Sequence, residues 1–79
     1  MDKYSLIGVD GNAYFIMGYV SKALKREGLS DLVDKYIKEA TSSDYHHLVF
    51  VSCEYIDMAN RKANKIDGDD NEGESEEKK

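Results

Sequence analysis

Between residues 13 and 24 the apolar side chains Ala13, Ile16, Met17, Val20, Ala23 and Leu24 recur at intervals of one, three or four. That spacing lines one face of a 3.6-residue helix. Asn12 stands just before the run, where a short polar side chain accepts a hydrogen bond from the first free amides. Gly28, after Lys25-Arg26-Glu27, is the expected stop, because glycine enters the left-handed conformation without steric cost. The pattern predicts a helix beginning at Ala13. Gly18 lies inside it, where glycine costs about 1 kcal/mol relative to alanine; a close backbone approach is the expected reason.

The same period returns twice. Leu32, Val33, Tyr36, Ile37 and Ala40 share one face opposite Asp34, Lys35 and Lys38, which predicts a helix from Asp31 to about Thr41 with Ser30 as its cap. The turn Thr41-Ser42-Ser43-Asp44 ends in two residues suited to cap a third helix, from Tyr45 to about Lys62. Its main stripe is Tyr45, Leu48, Val49, Tyr55, Ile56 and Ala59, with Glu54, Asp57 and Arg61 opposite. Phe50, Val51 and Met58 are apolar too, which suggests a central or interfacial helix. Cys53 reads as a small core residue. Its middle, LVFVSC, is β-branched enough to compete as a strand.

Residues 4–9, YSLIGV, are short, β-branched and closed by a turn signal, the pattern of a strand. The expected fold is mostly α: a short N-terminal β-strand followed by three helices in a small bundle. The alternative is α+β, with residues 47–53 as a second strand.

Composition changes this picture at one end. The chain has 79 residues and a net charge of −5. Residues 65–79 hold seven acids, three lysines and one aliphatic residue, so −4 of that charge lies there and the body carries −1. Such a segment buries too little apolar surface to offset its ordering entropy. We expect one small domain over residues 1–63 and a disordered acidic tail over residues 64–79. The simplest role for such a tail is solubility; an acidic tail is also able to mimic nucleic acid or occupy a basic groove. A domain this small is marginally stable alone. The single Cys53 excludes an internal disulfide and fits a reducing compartment. The apolar run before Asp10 is too short for a signal peptide, and no stretch approaches a membrane span. A soluble, cytoplasmic protein is expected.

The candidate chemistry is thin. Asp10 ends the first apolar run beside Gly11, as in many metal-dependent nucleases. Two-metal chemistry needs carboxylates converging from several elements, and the other acids of the body fall on exposed helix faces. Capping by Asp10 and Asn12 is the better account, and no enzyme activity is expected. Gly8 and Gly11 match neither dinucleotide nor phosphate loops, and Asp10 would repel a phosphate there. His46 and Cys53 lie seven residues apart, about 10 Å along a helix, too far to share one zinc. The histidines fit exposed positions in the first turn of the third helix. No metal and no cofactor are expected, and the tail's DGDDNEG lacks the pattern of a calcium loop.

Phe15, Tyr19, Lys22 and Arg26 line the side of the first helix away from its apolar stripe. Aromatics beside cations are what protein interfaces concentrate. Nucleic-acid binding would use the same residue types, but a net-negative body disfavours it.

The run IGVDGNAYFIMGYVSKALKREG, followed by EATSSDYHHL, resembles a group of short uncharacterised proteins of phages, prophages and plasmids. They share a D-G-N-A-aromatic segment running into I-M-G and a downstream (S/G)-D-Y-x-H-L. The likeness covers about residues 5–57. It implies no activity and no site residues. It does imply a phage or mobile-element protein acting in the host cytoplasm. Small phage proteins without enzymatic motifs often bind host or phage proteins, including those of bacterial defence.

The function expected is therefore a noncatalytic protein-binding module, plausible as an inhibitor or modulator of a host defence system, using Phe15, Tyr19, Lys22 and Arg26. The alternative is an oligomeric small-ligand or nucleotide-sequestering protein built on Asp10, Gly11 and Asn12. A lone strand would leave its ladder unpaired, so a homodimer joined through residues 4–9 across a two-fold axis is expected.

Overall fold

In the computed structural model, which describes residues 2–66, Asn12 caps the first helix, α1 (Ala13–Arg26). Its Oδ1 accepts from the Tyr14 N–H at 2.8 Å. Asp10 supports the cap rather than providing it: its Oδ1 accepts from the Asn12 N–H at 2.9 Å. The other end of α1 closes as a Schellman motif. The Leu29 N–H reaches the Leu24 carbonyl at 2.8 Å and the Gly28 N–H reaches the Lys25 carbonyl at 3.1 Å. Gly28 has φ of 76°, a conformation that a Cβ opposes.

The second helix differs from expectation at its start. A 3-10 turn, Ser30–Leu32, precedes α2 (Val33–Ala40), and Ser30 makes no capping bond. The chain must reverse within a few residues of Gly28, and the tighter turn accomplishes it. There the Leu32 N–H meets the Leu29 carbonyl at 2.9 Å. The expected stripe is kept: Tyr36 and Ala40 are buried, and Leu32, Val33 and Ile37 pack against the core.

The third segment is helical throughout, as α3 (Tyr45–Ile66). Asp44 caps it, with Oδ1 accepting from the His47 N–H at 2.9 Å. This overturns the alternative in which residues 47–53 form a second strand. Leu48, Val51, Ser52, Tyr55, Ile56 and Ala59 are buried along one side of the helix, while Phe50, Cys53, Glu54 and Asp57 face outward. Cys53 is therefore exposed rather than a core residue, because helical rotation carries it to the same side as Phe50 and Asp57. α3 continues to Ile66, beyond the expected domain end at 63. The remainder of the expected acidic tail, residues 67–79, lies outside the described residues.

Among the described residues there is no strand, so the expected N-terminal strand over residues 4–9 is corrected. With the third segment helical, YSLIGV has no ladder to join, and its backbone bonds elsewhere. The Val9 N–H returns to the Leu6 carbonyl at 3.1 Å across a tight turn in which Gly8 takes φ of 87°. Ile7, at the tip of that turn, is left exposed.

α3 packs against both α1 and α2. The Tyr45 hydroxyl donates to the Gly11 carbonyl at one end of α1, and the Lys62 ammonium donates to the Glu27 carbonyl at the other, at 2.7 Å. α1 and α3 therefore run alongside in the same direction, and α2 returns antiparallel to them, packed more on α3 than on α1. Tyr36, fully buried, bonds the buried Ser52 hydroxyl at 2.6 Å, so the core's polar atoms satisfy one another. Gly18 faces open space: a Cβ there would meet nothing within 4 Å. The expected close approach at Gly18 is absent, since it lies on the outer side of α1.

Candidate functional site

Around the C-terminal half of α1 the fold gathers Lys3, Tyr4, Tyr19, Lys22, Ala23 and Arg26 about an open depression of about 240 Å³. Lys22 and Arg26 are one helical turn apart and both exposed. Tyr19 is held rather than free. Its hydroxyl accepts from the Ser5 N–H at 3.0 Å, and its ring meets that of Tyr4 edge to face at 6.4 Å. Phe15, a turn toward the N-terminus, is 61% exposed, and its neighbour Tyr14 is 81% exposed. Of the four residues expected to form an interface, three line the depression and Phe15 stands beside it.

Beneath lies a bonded cluster. Tyr4 is buried, and the side-chain amide of Asn60 grips its peptide on both sides. Asn60 Oδ1 accepts from the Tyr4 N–H at 2.8 Å, and Nδ2 donates to the Tyr4 carbonyl at 2.9 Å. The Tyr4 hydroxyl donates to Glu27 Oε2 at 2.6 Å, and the Lys3 ammonium donates to the same oxygen at 3.0 Å. The Glu27 side chain is only 2% exposed. The Tyr4 phenol and the Lys3 ammonium hold its carboxyl below the ordinary value, against the opposing effect of burial. Burial first, then the Glu27 carboxylate, pushes the Tyr4 phenol up.

Comparison with models of protein families, with curated proteins and with solved structures gives no match. The functional reading therefore rests on the geometry of this chain.

Sequence reasoning missed Lys3, Tyr4, Glu27, Asn60 and Lys62. One signal was present: Asn60 falls next to Ile56 and Ala59 on the apolar side of α3, where a lone amide needs partners. The others carried none, because Tyr4 read as part of a strand and Glu27 as a helix end.

The Asp10-Gly11-Asn12 turn stands apart, at the opposite end of α1. Its polar atoms are engaged in its own capping and with Tyr45. His47 bonds the Glu39 carbonyl at 2.9 Å and the Ser42 hydroxyl at 3.1 Å. Among the described residues no three His, Cys, Asp or Glu side chains converge on a point where a metal would sit.

Proposed function

We propose that the chain is a noncatalytic protein-binding module whose contact surface is the outer face of α1, with Phe15, Tyr19, Lys22 and Arg26 as its anchors. The observation that carries this reading is the exposure of Phe15 in the same row as two solvent-facing cations. A large ring left in water beside cations is the composition that interfaces enrich. The preceding Tyr14 enlarges the apolar patch. The resemblance to phage and plasmid proteins suggests a bacterial host protein as the target, including the components of defence systems.

Capture from bacterial lysate tests this. The wild type should retain a protein that a Phe15→Ala/Arg26→Glu double variant loses by about tenfold or more, as for loss of hot-spot residues. A Lys35→Glu variant, changed on the exposed side of α2, should retain it. Equal recovery on all three baits would overturn the surface. Nucleotide sequestration at Asp10, Gly11 and Asn12 has no observation in its favour, since the turn spends its polar atoms on capping. Calorimetry with nucleotides is expected to register no binding.

The expected homodimer belongs to this proposal as well, but through a different surface. Pairing of residues 4–9 lacks its strand, whereas Phe50, Glu54 and Met58 form an exposed stripe at four-residue spacing along α3. That stripe is the surface we propose for self-association.

A further inference from the structure

We propose that the chain's own acidic segment, residues 67–79, docks in cis on the basic end of α1, over Lys3, Tyr19, Lys22 and Arg26. The depression there is open and bordered by three cations, with Tyr4 and Tyr19 in its floor. It is smaller than the concave sites of about 300–1,000 Å³ that enclose small molecules.

Charge singles out the occupant. Among the described residues the ion pairs are Lys3 with Glu27 and Arg61 with Asp57. Lys22, Lys25 and Arg26 thus crowd the last turns of α1 without an acid partner among the described residues. Lys22 and Arg26 are a like-charged pair one turn apart, an arrangement that costs free energy until an anion covers it. Residues 2–66 carry nine acids and nine bases, whereas residues 67–79 carry seven acids and two lysines. The acid that complements this end of α1 is concentrated in one segment.

Connectivity brings that segment to the right end. Lys62 touches the Glu27 carbonyl, and α3 ends one helical turn later at Ile66, beside the end of α1 that bears Arg26. Lys22 lies only about 7.5 Å back along the axis from Glu27. Thirteen residues extend to about 43 Å, far more than the return requires. A short tether raises the local concentration of the segment to about millimolar, so individually weak ion pairs suffice. The docked segment would cover the Tyr19, Lys22 and Arg26 part of the proposed contact face and so compete with a partner. That regulatory consequence rests on the protein-binding reading; the docking itself does not.

Paramagnetic relaxation in the full chain tests the docking without any partner. A spin label is attached at Ser75→Cys in a Cys53→Ser background. At about 25 mM salt it should broaden the amides of Tyr19, Lys22, Ala23 and Arg26. The broadening should vanish at about 500 mM NaCl, where the Debye length falls to about 4 Å. It should vanish equally in a Lys22→Gln/Arg26→Gln variant, whose exposed substitutions leave the core untouched. Broadening confined to the last turn of α3, or insensitive to salt and substitution, would overturn the proposal. So would equal broadening in a mixture of spin-labelled and isotope-labelled chains, which would assign the contact to a second copy.

Discussion

Asn60 does for the N-terminal segment what a neighbouring strand does elsewhere. One side-chain amide supplies an acceptor and a donor to the peptide of Tyr4, at 2.8 and 2.9 Å. Asn60→Ala strands both groups in a buried site, so it should cost about 1–3 kcal/mol in urea denaturation. Glu27 predicts a pH dependence of definite sign. Its folded carboxyl is lowered from 4.5, so it binds protons less readily than in the unfolded chain. Its contribution is complete above the unfolded value and is lost as pH falls through the lower folded one. The melting temperature should therefore drop as pH falls below about 4.5. Glu27→Gln should lower the melting temperature at neutral pH and flatten that acid limb. An unchanged acid limb in the variant would assign the loss to other carboxylates.

At the scale of elements, Gly18 within α1 and Gly28 just past its end have opposite roles. Gly18 is mid-helix with open space around it, so Gly18→Ala should stabilise α1 by about 0.5–1 kcal/mol. Gly28 holds φ of 76° at the Schellman stop, so Gly28→Ala should destabilise by about 1 kcal/mol. Thermal denaturation of the two variants should move in opposite directions. The α1 boundaries were legible because each depends on a local signal: Asn12 at one end, Gly28 at the other. The start of α2 was not, because the reversal after Gly28, and not the capping preference of Ser30, decides the geometry there. The strand expected at residues 4–9 failed for a related reason: β-propensity acts only when a ladder partner exists.

For the whole molecule, the prediction concerns assembly. Phe50 is 63% exposed and Met58 37%, on the outer side of α3. A homodimer through that stripe should scatter light as twice the 9.0 kDa chain at micromolar concentration, and Phe50→Asp should return it to the monomer. A wild-type monomer would remove self-association from the proposal. The dimer expected through residues 4–9 loses its basis, since there is no strand among the described residues.

The candidate site divides along the same line. Phe15, Tyr19, Lys22 and Arg26 were legible as a row because the helical period alone sets which side chains share a face. The period also determined three helices, and local signals gave the caps of α1 and α3 at Asn12 and Asp44, all of which depend on residues within a few positions of each other. Contacts across the fold decided the rest. Tyr4 and Asn60 are 56 residues apart and Lys62 and Glu27 are 35 apart, and no local pattern encodes such pairs. The fold alone converted an apparent strand into an anchored segment and buried Glu27 beneath Lys3 and Tyr4. Side-chain neighbours separated by that much chain become defined only once α1, α2 and α3 are packed together.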